Sequence, residues 1–138
     1  MTIVALILSL LLDLALPSSF EASWTQVRHS PILTEDLVSS GTVIMREPDY
    51  LRWEVLEPVQ SVSEFGADTR GGRFRMPTQK DFKAVEEGNT VVLEPLRRDL
   101  KQMFRRITVT FDAGGKVQSV FLEGTDDGWT RIDFKDVR

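Results

Sequence analysis

The last third of the chain limits the fold more than any other part. RITVTF, the turn DAGG, KVQSVFLEG, the turn TDDG and WTRIDF follow one another over residues 106–134. Apolar and polar residues alternate within the segments, and the linkers are short runs of turn formers, which specifies a three-stranded antiparallel meander. Parallel pairing there is excluded, because a crossover needs a dozen or more residues. Each strand carries one apolar face, so the domain is built on a sheet that turns that face inward.

The remainder reads the same way. In SSFEASWTQVRH, Phe20, Ala22 and Trp24 alternate along a strand from Ser18 to about His29, broken by Ser30-Pro31. VSSGTVIMR, from Val38 to Arg46, is a second strand, with Gly41 a bulge or a site of close approach. Tyr50 to Glu57 is a third, bounded by Pro48 and Pro58, with Leu51, Trp53 and Val55 on one face and Tyr50, Arg52, Glu54 and Leu56 on the other. The stretch from Ser61 to Phe82 is rich in turn residues, with strand-like pieces around Val62 and Phe74. NTVVLEP is a further strand closed by Pro95, and LRRDLKQMF has helical spacing, with Leu96, Leu100 and Met103 on one side. Successive strands with one helix between them define a mainly antiparallel β domain, not βαβ units. The meander is expected at one edge of the sheet, with the helix of Leu96 to Met103 lying against it.

Length and composition narrow the function. The 138 residues suit one domain with a single core. Lysine and arginine number 17 against 21 aspartates and glutamates, giving a net charge of −4. The bases are interleaved with acids, so no cationic surface tracks a phosphate backbone, and nucleic acid is not an expected partner. With no cysteine, disulfides, thiolate metal sites and cysteine nucleophiles are excluded. His29 is the sole histidine and has no second soft ligand, so a satisfied or solvated ring is expected there. Asp126-Asp127-Gly128 lacks the closing glutamate of a calcium loop and reads as a hairpin turn. Gly71-Gly72 and Gly114-Gly115 do not lie between a strand and a helix, so they are turns as well. No nucleophile has a base beside it. The expectation is a binding or carrier protein, not an enzyme, with no metal and no cofactor.

The N-terminus supports two readings. Ile3 to Leu12 is an apolar run of signal-peptide length, too short to span a bilayer. Residues 1–17 are therefore either an export signal or a helix packed on the sheet, and residues 18–138 form the domain.

Three motifs carry a resemblance. Ser19, Phe20, Ala22, Trp24 and Gln26 form a Ser-Phe-x-Ala-x-aromatic-x-Gln opening strand. Gly41, Arg46, Pro48, Trp53 and Pro58 fit a glycine followed by basic-x-Pro-x-x-x-x-Trp-x-x-x-x-Pro. Leu93, Pro95, Leu100, Lys101 and Phe104 lead into the meander. In this order, across most of residues 18–134, they resemble the periplasmic outer-membrane lipoprotein carrier family (LolA-like), with a shorter segment between Pro58 and Phe82. The resemblance implies an open antiparallel half-barrel, a curved sheet with a few short helices on its concave side. It also implies a periplasmic location and an apolar cavity that holds the acyl chains of lipoproteins or related lipids.

On that basis the lipid-binding residues are Phe20, Trp24, Ile44, Leu51, Trp53, Val55, Ile107, Val109 and Phe111. An acyl chain gains about 0.8 kcal/mol per CH₂ withdrawn from water, so a carrier needs a contiguous apolar wall. Without the resemblance, the same residues also fit the filling of a closed core. The implied partners are an acylated lipoprotein or lipid, an inner-membrane release machinery and an outer-membrane acceptor, with the carrier a monomer. The alternative from another class is an interaction or sensor module of the same fold that binds lipoprotein or a protein partner without transporting it.

Overall fold

The computed structural model describes residues 19–46, 50–65 and 79–138. The apolar N-terminal run, Pro48 and the strand-like piece around Phe74 lie outside the described residues.

Four strands come first: β1 (Ser19–His29), β2 (Leu37–Arg46), β3 (Tyr50–Glu57) and β4 (Ser61–Phe65). A 3₁₀ turn at Gln79–Asp81 leads into β5 (Phe82–Glu87) and β6 (Thr90–Pro95). The short helix α1 (Arg98–Met103) precedes β7 (Phe104–Phe111), β8 (Val117–Gly124) and β9 (Trp129–Lys135). All nine strands form one antiparallel sheet in the order β4-β3-β2-β1-β9-β8-β7-β6-β5, which does not close into a barrel. The architecture is mainly β, as the spacing of apolar residues requires.

Three expectations are corrected. The meander β7-β8-β9 is not at an edge: β9 pairs with β1, from Ser23 with Lys135 to His29 with Trp129, and β6 and β5 extend the other side. Alternation within a strand shows which face is buried but not which distant strand lies alongside. The helix is shorter than its spacing suggests. Arg97 has an extended backbone, so Leu96 precedes the helix and shares no face with Leu100. Of the expected trio only Leu100 is buried, while Leu96 and Met103 are exposed. Finally, β5 was not among the expected strands, because FKAVEE lacks clean alternation. The two-residue connection Gly88-Asn89, with Gly88 at φ +60°, is the hairpin signal that marks it.

The turns follow their residue types. In Asp112–Gly115 the Asp112 carboxylate accepts from the backbone N–H of Gly114 and of Lys116, both at 2.9 Å. In the β8–β9 turn Asp126 accepts from the N–H of Gly128 at 2.9 Å. These are Asx-type hydrogen bonds that fix two-strand connections without help from the core.

The core lies on one face of the sheet. Phe20, Ala22 and Trp24 of β1, Val43 and Met45 of β2, Leu51 and Trp53 of β3, and Ile132 and Phe134 of β9 belong to one cluster with Ile107, Val109, Val120 and Leu122. Gly41 shows how closely this face is fitted. The β2–β3 register shifts between Ser40 and Gly41, and a Cβ on Gly41 would collide with the Glu54 carbonyl oxygen and lie 2.8 Å from Cζ2 of Trp24. Gly41→Ala is therefore expected to cost about 1–3 kcal/mol, as overpacking of a tight core does. Urea unfolding of the two proteins checks this, and equal midpoints would show that β2 gives way without cost.

Candidate binding face

The inner face is organised around two tryptophans and the glycine between them. Trp24 on β1 pairs across to Gly41 on β2, and Gly41 in turn to Val55 on β3. Since Gly41 has no side chain, the Trp24 indole extends over β2 and stacks on that of Trp53, with centroids 4.1 Å apart and planes 15° from parallel. The Trp24 indole N–H donates to the Thr42 carbonyl at 3.0 Å, so the ring's single polar atom is satisfied.

Register extends the apolar surface across the sheet. Val91, Val109, Val120 and Ile132 stand in one row over β6, β7, β8 and β9. Leu93, Ile107 and Leu122 form the next. Phe134 of β9 lies opposite Trp24 and meets the Phe20 ring edge to face at 5.9 Å. The row through Ile132 ends at Gln26, whose Oε1 is buried with no hydrogen-bond partner among the described residues.

Most of the residues expected to line a wall come together here. Phe20, Trp24, Leu51, Trp53, Ile107 and Val109 are buried in the cluster, and Val55 and Phe111 are half-buried against it. Ile44 is not with them. Strand parity from Gly41 turns Val43 and Met45 inward and Ile44 to the opposite face. There it borders a shallow pocket of about 270 Å³ together with Glu21, Ser23, Thr42, Asp136 and Arg138. Members of the face that the sequence did not single out include Val43, Met45, Val120, Leu122, Ile132 and Phe134. Their signal was the in-phase alternation of each strand with Trp24.

The charged motif residues are used in the scaffold. Arg46 pairs with Glu21 on the neighbouring strand and donates to the Met45 carbonyl at 3.1 Å. His29 Nδ1 lies 2.8 Å from Asp36 Oδ1, and its ring stacks on Trp129 at 5.4 Å, so it is satisfied. Among the described residues no group of three or more His, Asp or Glu is placed to hold a metal ion. Nor is any helix of the described residues long and apolar enough to cross a membrane.

At the end of the face, Leu100 of α1 is fully buried. Arg97 holds the helix in place, donating to both Asp99 carboxylate oxygens at 2.6 and 2.8 Å and approaching Asp81 at 3.6 Å. The Gln102 carbonyl accepts from the Thr125 hydroxyl at 2.9 Å, tying α1 to the β8–β9 turn.

Fold and face together define an open, single-sheet β domain with one continuous apolar surface. A LolA superfamily protein, NE2245 of Nitrosomonas europaea, aligns with 100% of this chain and 93% of its own length, at a TM-score of 0.43 and 9% identity. MucB, solved in complex with MucA(peri), aligns with 87% of this chain and 49% of its own, at 0.44 and 16%. A putative outer membrane lipoprotein-sorting protein domain from Vibrio parahaemolyticus aligns at 0.37 and 7%, over 88% of this chain and 85% of that one. All three TM-scores lie below 0.5, so these likenesses are distant. No family model matches the chain. Over an alignment of 110 positions the chain is 26% identical to GPI ethanolamine phosphate transferase 3 of Saccharomyces cerevisiae, with 72% of this chain covered but only 10% of that protein's length.

The helix latch generates a pH prediction. The hydrogen bond from Arg97 holds the Asp99 carboxyl below its ordinary range, and the same bond raises Arg97. A carboxylate with a lowered folded pKa contributes stability above its unfolded pKa, and that contribution is lost as the pH falls through the folded value. Asp99→Asn should therefore lower the urea midpoint slightly at pH 7, since the Asp99 carboxylate is exposed to solvent. The two proteins should converge once the pH drops below the lowered pKa. A difference that persists unchanged in acid would show that Asp99 acts other than through its charge.

Proposed function

We propose that the chain is a periplasmic carrier that holds the acyl chains of lipoproteins, or of related lipids, against the inner face of the sheet. It takes them from an inner-membrane release machinery and delivers them to an outer-membrane acceptor, working as a monomer without catalysis, metal or cofactor. The observation that carries this reading is the stacked Trp24–Trp53 pair at the centre of a continuous apolar face. Large rigid rings present apolar area with little rotamer entropy to lose, which suits a ligand held only by withdrawal from water. The three motifs of Ser19 to Gln26, Gly41 to Pro58 and Leu93 to Phe104 support it from the sequence. The buried, unpartnered Gln26 Oε1 offers an acceptor to an amide N–H or hydroxyl at the head of an acylated cargo.

A second reading is favoured by one observation: the wall is almost entirely buried, with Trp24 only 2% and Trp53 only 4% exposed. A face so well covered also suits an interaction or sensor module, whose apolar face is simply its core.

Trp53→Ala separates the two. If Trp53 lines an acyl-binding space, titration with a fluorescent long-chain fatty acid should show binding to the unchanged protein and weaker binding to the variant, at modest loss of stability. If the face is a closed core, the unchanged protein should bind no acyl chain, and the variant should lose about 3–5 kcal/mol of unfolding free energy. Native mass spectrometry of protein purified from an envelope extract gives an independent check. Carriage predicts a co-purified lipid mass, and a lipid-free spectrum together with the larger stability loss would reject the carrier reading.

A further inference from the structure

The exposed apolar side chains are not scattered evenly. Antiparallel pairing brings several connections to the end of the sheet where β1 finishes at His29 and β2 begins at Leu37. The β3–β4 turn, the β8–β9 turn and α1 all lie at this end. Most of the exposed large apolar residues among those described are here. Ile32 is 90% exposed in the β1–β2 loop, with Leu37 and Val38 beside it at 54% and 58%. Val59 is 73% exposed in the β3–β4 turn, Leu96 precedes α1 and Met103 ends it. The opposite end carries the Gly88-Asn89 hairpin, the Asp112–Gly115 turn and the final residues Asp136 to Arg138. Apart from Tyr50, it has no exposed large apolar residue among those described. The domain is amphipathic from end to end.

We propose that the apolar end docks on the surface of a lipid bilayer with zwitterionic headgroups. Four observations favour this occupant. The apolar residues stand as separate prongs on different connections. The cavity described at this end, beside His29, Met103 and Trp129, has a volume of only about 70 Å³. A protein partner anchors side chains in matching pockets, whereas fluid acyl chains close around a prong that has none. The charges of the described residues at this end balance: His29 pairs with Asp36, Arg97 with Asp81 and Asp99, Arg105 with Asp127 and Arg106 with Glu123, and the exposed Arg28, Lys80, Arg98 and Lys101 are offset by Glu35, Glu57, Asp126 and the second carboxylate beside Arg97. That leaves no net cationic field among the described residues to recruit anionic lipids, and a surface matched to neutral headgroups. Trp129 sits half-buried just inside the end, its ring between those of His29 and Phe121, the amphipathic placement that aromatic residues take at headgroup depth. The docking does not depend on the acyl-binding reading, since it uses the outer rim and not the inner face.

The chain has no cysteine, so a single one can be placed and labelled at will. Ile32→Cys and Ala113→Cys, each carrying a polarity-sensitive fluorophore on the full-length chain, mark the apolar end and the opposite end. On addition of phosphatidylcholine vesicles the label at position 32 should move to the blue and brighten, and that at position 113 should not change. Binding through the apolar N-terminal run alone would be insensitive to substitution at Ile32 and Val59. Ile32→Asp and Val59→Asp, both at exposed sites, should each weaken vesicle partition about tenfold. The proposal is overturned by an unchanged label at position 32, by equal shifts at both positions, or by a shift seen only with anionic phosphatidylglycerol. It is also overturned by a vesicle-free shift that grows with protein concentration, which would identify a second copy as the occupant. Fatty-acid titration without vesicles reads the inner face separately, so either reading can fail while the other holds.

Discussion

The sheet depends on one seam. β1 and β9 are about a hundred residues apart at His29 and Trp129, yet they pair along seven positions in the middle of the strand order. On one side β2, β3 and β4 follow β1 outward, and on the other β8, β7, β6 and β5 follow β9. Without the seam these are two meanders, each with a bare edge and half an apolar face. Closing a loop of that length costs conformational entropy that no local contact returns, so the pairing must be supported by what it brings together. The backbone exchange between Glu21 and Arg138, at 2.9 and 3.3 Å, carries the pairing past the end of β9.

What the seam brings together is the centre of the apolar face. It sets Phe134 against Trp24 and Ile132 against Gln26, and so joins the aromatic half of the surface, on β1 to β3, to the aliphatic half on β6 to β9. The aromatic half in turn needs Gly41, because any side chain there would separate Trp24 from Trp53. Long-range pairing, a missing Cβ and a ring stack are thus links in one arrangement, and each sets the position of the next.

How much of this could be read in the sequence depended on whether the relevant information was local. Alternation in WTRIDF or YLRWEVLE is local, and it put the strands and their buried faces in place. VIM in β2 is apolar at three successive positions, so period two is invisible there. The sequence alone puts Ile44 on the face, and only the register from Gly41 shows that Val43 and Met45 belong to it. The two-residue Gly88-Asn89 hairpin was legible and was masked by the charge of Glu86-Glu87. The neighbour of β9 has no local signature at all, so the alternation that defines the meander does not show that it lies inside the sheet. At α1 the apolar spacing was right in type, but Arg97 stays extended to reach Asp81 and Asp99, so the helix starts later than its pattern.

The tryptophan stack gives the protein an optical property as well as a structural one. Two indoles 4.1 Å apart and nearly parallel are close enough for their excited states to mix. Their joint transition then responds to the angle and distance between the rings and not to the solvent around either. The relation between β1 and β3, and with it the state of the inner face, is therefore written into the circular dichroism of the unlabelled chain. A shift of one strand against the other would appear there as a change in the sign or strength of an exciton band, before any strand has unpaired.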